Sequence, residues 1–168
     1  MRVLTEAVVR ASFVNCSKGE AGRLALPRGM AELPWGELDF LGWRDPGAPD
    51  RGYLVAEHGG RLVGVVLRRV QRVGAGVRRG AMCSICLTVH AASGVALLTA
   101  RKAGRGSGEE YASAGEYFCG DLACSLYVRG LRRASAGGVR MRESLGVEEK
   151  AARVRANLAA FLERVLRP

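Results

Sequence analysis

The stretch MCSICLTVH, residues 82–90, holds two cysteines separated by two residues and a histidine four places after the second. A spacer of 32 residues beyond Cys86, FCGDLACSLYVRG carries a further pair, Cys119 and Cys124, separated by four. A C-x2-C turn lets two sulfurs converge on one face of an ion, and a second pair can close the other face. Four thiolates at about 2.3 Å saturate tetrahedral zinc and leave no place for a reactive water, so the expected site on Cys83, Cys86, Cys119 and Cys124 is structural. His90 follows Cys86 with C-x3-H spacing, and a ligand set of Cys86, His90, Cys119 and Cys124 is the alternative to the four-cysteine site. Five cysteines are an odd number, which argues against a disulfide framework. Cys16 stands outside the constellation and reads as a small buried hydrophobe. Four thiolates on a dication leave two excess negative charges, which Arg78, Arg79 and Arg129 are placed in sequence to offset.

These cysteines need elements to hold them. EYFC reads as a strand ending at Cys119, after which Asp121 can cap a helix with Cys124 in its first turn, where partial positive charge favours a thiolate. A knuckle followed by a strand-to-helix junction is the layout of a treble-clef zinc site. Upstream, YLVAE and RLVGVVLRR flank HGG (58–60), the turn chemistry of a hairpin, with His58 expected in solvent. GVALLTARK (94–102) reads as another strand and RKAGRGSGEE (101–110) as a loop. In the tail, Val147, Ala151, Val154, Leu158, Phe161 and Val165 recur at helical spacing and predict an amphipathic helix starting at Ser144 or Gly146. Glu149 with Arg153 and Glu163 with Arg167 stand as i,i+4 pairs. SKGE (17–20) fits a capping box for a short helix ending before Pro27. LPWGELDFLGWRDPGAP alternates Trp35, Phe40 and Trp43 with prolines, which predicts a core-covering arm without long regular structure.

The expected fold is therefore α+β: a small antiparallel sheet with a treble-clef zinc finger, an N-terminal helical arm and a C-terminal amphipathic helix, all in one domain over 1–168. At 168 residues and 48% hydrophobic the chain can bury a core. No run is apolar enough for a signal peptide or a membrane span, so a soluble, cytoplasmic monomer is expected. The net charge of +10 is almost all arginine. No acid falls between Glu57 and Glu109, where Arg68, Arg72, Arg101 and Arg105 lie, nor between Asp121 and Glu143, where Arg132, Arg133, Arg140 and Arg142 lie. Such a field attracts anionic partners. Two histidines, no paired carboxylates and no phosphate-cradling glycine loop argue against an enzyme. RNA or ribosome binding is the alternative reading, although LRRVQRVGAGVRRG (67–80) has no aromatic residue to stack on bases.

The runs SFVNCSKGEAGRLALP, LPWGELDFLGWRDP, LVGVVLRR, MCSICLTVH and YFCGDLACSLYVRG resemble the C-terminal treble-clef zinc-finger domain of elongation-factor-G-binding proteins, the group that includes fusidic-acid-resistance proteins. The resemblance runs from about Ser12 to Val165. It implies a non-enzymatic zinc module that binds elongation factor G and helps it leave the ribosome. The drug-resistance members carry an N-terminal helical bundle that has no counterpart in these residues, so the resemblance implies factor binding and leaves resistance itself open. By position, Tyr117 and the basic helix after Cys124, with Arg129, Arg132 and Arg133, would form the partner surface. Tyr127 is a further candidate anchor that helical spacing places as readily in the core.

Overall fold

The computed structural model describes residues 1–71, 80–104, 112–134 and 143–167. Arg72, Arg78, Arg79, Arg105, Arg140 and Arg142 lie outside them, as does most of the glycine-rich loop. In chain order the elements are α1 (Glu6–Ala11), α2 (Lys18–Arg23), β1 (Leu41–Arg44), β2 (Arg51–His58), β3 (Arg61–Arg69), β4 (Ala81–Met82), β5 (Val89–His90), β6 (Val95–Arg101), β7 (Ser113–Cys119), α3 (Cys124–Val128) and α4 (Val147–Leu166). Five strands pair antiparallel in the order β1-β2-β3-β6-β7, and β4 and β5 form a separate ribbon.

The sheet begins at the glycine turn. Gly59 and Gly60 have φ of 56° and 74°, a left-handed pair that matches the twist of a two-residue hairpin and sets His58 opposite Arg61. His58 is half-buried rather than free in solvent. Successive side chains of β2 then alternate between faces, and both sets are buried because both faces are covered.

One face is covered by the N-terminal arm. Leu4, Val9, Leu24, Trp35, Leu41 and Trp43 pack there with Tyr53 and Val55. The SKGE box forms as the sequence predicts: Ser17 Oγ accepts from Glu20 N at 3.2 Å, and Glu20 Oε2 accepts from Ser17 N at 2.9 Å. Each indole finds a carbonyl, Trp35 Nε1 donating to Met30 O at 2.9 Å and Trp43 Nε1 to Ala25 O at 2.8 Å. That satisfies the polar tip of a large buried ring. The proline-rich segment has no long element, but it contains β1, which the sequence reading did not separate from the arm.

The opposite face holds the metal centre and α4. Leu54, Val63, Val65, Leu67, Leu98 and Phe118 meet Val154, Leu158, Phe161 and Val165 of the helix. Phe118 and Phe161 pack edge-on with centroids 5.2 Å apart. Helix α4 starts at Gly146, whose N–H donates to Glu149 Oε2 at 2.7 Å. Two details of the sequence reading are corrected. Val147 is exposed, and Leu162 joins the buried stripe. Arg153 pairs with Glu143 at 2.9 Å rather than with Glu149, whose carboxylate is held back at the cap.

Candidate metal centre

The fold brings the four sulfurs together. Cys83, Cys86, Cys119 and Cys124 are buried and all their Sγ atoms lie within 4.8 Å of one another. Cys83 Sγ is 3.7 Å from Cys124 Sγ, and Cys86 Sγ is 3.4 Å from Cys119 Sγ. A tetrahedron of sulfurs about 2.3 Å from a central zinc has edges of about 3.8 Å, so this cluster has the size the ion requires. Left to themselves the sulfurs do not ionise alike. Hydrogen bonds from Cys119, Cys124 and Cys83 pull the Cys86 thiol down, whereas Cys124 is pushed up by hydrogen bonding to the other three and by burial. A dication at their centre allows all four to be thiolates.

Each sulfur pair sits on a turn that bends back sharply. In the first, Leu87 N donates to Cys83 O at 2.9 Å and Cys83 N to Thr88 O at 3.0 Å, with Leu87 in the left-handed region at φ 59°. In the second, Cys119 closes β7, Cys124 opens α3, and Leu122 between them is left-handed at φ 61°. The longer four-residue spacing has a use. It carries Leu122 into the core, 2% exposed, against the bare backbone of β1 and β2. A Cβ on Gly42 would fall 2.7 Å from Leu122 Cβ and 2.8 Å from its carbonyl oxygen, so only glycine fits there.

Neighbouring groups hold the turns in place. His90 is buried with Nε2 3.2 Å from Cys119 Sγ, where an N–H can donate to the sulfur. Its ring meets Tyr127 edge-on at 4.7 Å. The histidine thus sits beside the sulfur cluster and supports one member of it. Thr88 Oγ1 lies 3.3 Å from Cys86 Sγ. From α4, Asn157 Nδ2 donates to the carbonyls of Ser84 and Ile85 at 3.2 and 3.1 Å, and Arg153 donates to that of Cys86 at 3.3 Å. Hydrogen bonds of this kind orient the backbone behind metal ligands. Sequence reasoning missed Asn157, whose one signal was an amide placed next to the apolar stripe of α4.

The other candidates separate into two groups. Arg129 does not reach the sulfurs: its guanidinium grips buried Asp39 at 2.6 and 3.1 Å and contacts Glu37 at 3.3 Å. Asp39 also accepts from Arg155 at 2.8 Å and donates its N–H to Ser125 Oγ at 2.9 Å, so the cluster ties the arm to α3 and α4. Asp121 does not occupy the N-cap position, which falls to Ala123. It accepts instead from Ala123 N at 3.1 Å and from the Tyr127 hydroxyl at 2.8 Å. Burial and that carboxylate push the Tyr127 phenol up. Arg132, which pairs with Asp121 at 3.2 Å, is half exposed, and Arg133 is exposed. Tyr117 is half-buried on β7, its carbonyl accepting from Ser84 N at 2.8 Å. Cys16 is half-buried, and burial raises its thiol.

The family model described as the FBP C-terminal treble-clef zinc-finger matches residues 8–165. No curated protein matches the chain. Among solved structures, the fold is similar to that of the fusidic acid resistance protein FusC, with a TM-score of 0.51 and 16% identity, covering 85% of this chain and 52% of that one. The chain thus spans about half the length of that relative, and at this identity the likeness is one of fold. A matching model over nearly the whole chain and a buried cluster of four sulfurs sized for zinc lead to one conclusion: the chain belongs to the FBP C-terminal treble-clef zinc-finger family, with zinc as its structural cofactor.

Proposed function

We propose that the protein is a non-enzymatic docking module that binds elongation factor G in the cytoplasm and promotes its release from the ribosome, acting as a monomer. The family match across residues 8–165 carries this reading. Zinc bound by Cys83, Cys86, Cys119 and Cys124 has no open coordination position, so its part is to fix the chain that bears the contact residues. Tyr117 leads into Cys119, and Arg132 and Arg133 follow α3. Arg129, held on Asp39, anchors that helix from behind. Exposed guanidinium groups suit an acidic partner and would chiefly speed and orient the encounter, while a few partly buried side chains such as Tyr117 supply affinity. No described helix is long and apolar enough to cross a membrane.

Calorimetry with purified elongation factor G tests the proposal. A saturable complex is expected, weakened at least tenfold by Arg132→Glu combined with Arg133→Glu while zinc content and circular dichroism stay unchanged. The absence of any complex contradicts the reading. Binding to RNA instead, collapsing steeply between low and moderate salt, would favour a nucleic-acid function.

A further inference from the structure

The ladder between β3 and β6 stops after two pairs, Arg68 with Thr99 and Arg69 with Leu98. Beyond it the segment 12–15 runs beside β3, with Gly64 N donating to Ser12 O at 2.8 Å and Val14 N to Gly64 O at 3.0 Å. The side chain of Asn15 fills the next rung, accepting from Val66 N at 2.8 Å and donating to the carbonyls of Val66 and Arg101 at 3.0 and 3.2 Å. At this fork lies a pocket of about 220 Å³ between α2 and the sheet, with Arg51, Arg68, Arg101, Thr99 and Ser113 on its lining. Leu24 and Val66 give it an apolar wall.

Positive charge predominates among the described residues of this lining, three arginines to one glutamate. Arg51 and Arg68 stand directly opposite each other across β2 and β3, an arrangement in which like charges destabilise a sheet. Arg68 and Arg101 make no ion pair with any described residue. A hydrogen bond with Tyr53, together with Asp45 and Asp50, favours the Arg51 cation, while its Nε is buried without a hydrogen-bond partner among the described residues. The acid among the described lining residues, Glu20, bonds Ser17 in the capping box and also attracts Arg51, so it offsets one of the three guanidinium charges.

We propose that this pocket binds a small phosphate monoester, with its phosphoryl group between Arg68 and Arg101 and its organic part against Leu24 and Val66. A phosphoryl dianion offers three acceptor oxygens to forked guanidinium donors, and Arg68 and Arg101 have no described acid paired with them. The pocket is concave and none of the described residues lining it is aromatic, which favours a small ligand over a single-stranded nucleic acid that needs stacking surfaces. The site is on the arm face, apart from the metal centre and from Arg132 and Arg133.

Isothermal titration of the full, zinc-loaded chain at fixed ionic strength tests this, with inorganic phosphate and phenyl phosphate as probes and chloride as the control. Saturable binding is expected, at least as tight for phenyl phosphate as for phosphate. Arg68→Glu with Arg101→Glu should weaken it at least tenfold without changing zinc content, whereas Arg132→Glu with Arg133→Glu should leave it unchanged. Should the double pocket variant not fold, the single exposed change Arg101→Gln should still weaken phenyl phosphate several-fold. The proposal is overturned by non-saturating binding, by pocket variants that bind as the parent does, or by a single-stranded oligoribonucleotide that binds more tightly than phenyl phosphate.

Discussion

The two faces of the sheet are held by different physics, although strand β2 serves both. On the arm face Tyr53 and Val55 meet Trp35, Trp43 and Leu41, with the indole N–H groups satisfied by carbonyls 5 and 18 positions away in sequence. On the metal face Leu54 and Ala56 meet α4 and four sulfurs drawn from segments far apart in the chain. The first face gains its stability from large rings removed from water. The second joins distant segments through an ion and through hydrogen bonds from α4 to the Cys83–Cys86 turn. Removing one kind of support should therefore injure one face more than the other.

The largest effect is expected from the metal. Structural zinc in small modules is worth on the order of 10 kcal/mol. Chelation, or Cys119→Ser, should thus release the metal face, and hydrogen exchange should show protection lost first over 83–90 and 147–166. If protection falls equally over the arm at 6–24, the two faces are not separable. Next comes Trp43→Ala, which removes a buried indole and should cost about 3–5 kcal/mol in chemical denaturation. The comparison requires the folded fraction of that variant to retain one zinc per chain by elemental analysis.

A change on the metal face, beneath the second ligand turn, comes third. Gly42→Ala places a methyl group against Leu122 on the ligand-bearing turn and should cost about 1–3 kcal/mol, read from the denaturation midpoint. Because the contact is partly backbone, Leu122 cannot simply rotate away. Asn157→Ala leaves two carbonyls of the knuckle without their donor. A loss of about 1–2 kcal/mol is expected, with zinc released to a colorimetric chelator about tenfold faster. Smallest is Ser17→Ala, about 1 kcal/mol from a lost helix cap, with zinc release unchanged.

How much could be read beforehand follows the same division. The ligand spacing, the strand-to-helix junction at Cys119–Cys124, the HGG hairpin, the SKGE cap and the stripe of α4 are local patterns, and each formed where expected, except that the stripe omits Val147 and includes Leu162. Features that depend on distant partners were not legible. Arg129 is an ordinary surface arginine by sequence, and only the fold sets it on Asp39, ninety positions away. Strand β1 is four residues long with a glycine inside it, too short to show a period, and is defined by its pairing with β2. His90 had the spacing of a ligand, yet the ribbon of β4 and β5 directs its ring at a sulfur. The amide of Asn157 beside the apolar stripe marked a polar group at the packed face, but its partner, a turn some seventy positions upstream, is set only by the fold.

X-ray absorption at the zinc edge of the purified protein tests the central claim most directly. Four sulfur neighbours at about 2.3 Å and no nitrogen are predicted. Three sulfurs with one nitrogen at about 2.0 Å would put His90 in the coordination shell and displace a cysteine, contradicting the account, as would a protein isolated without zinc.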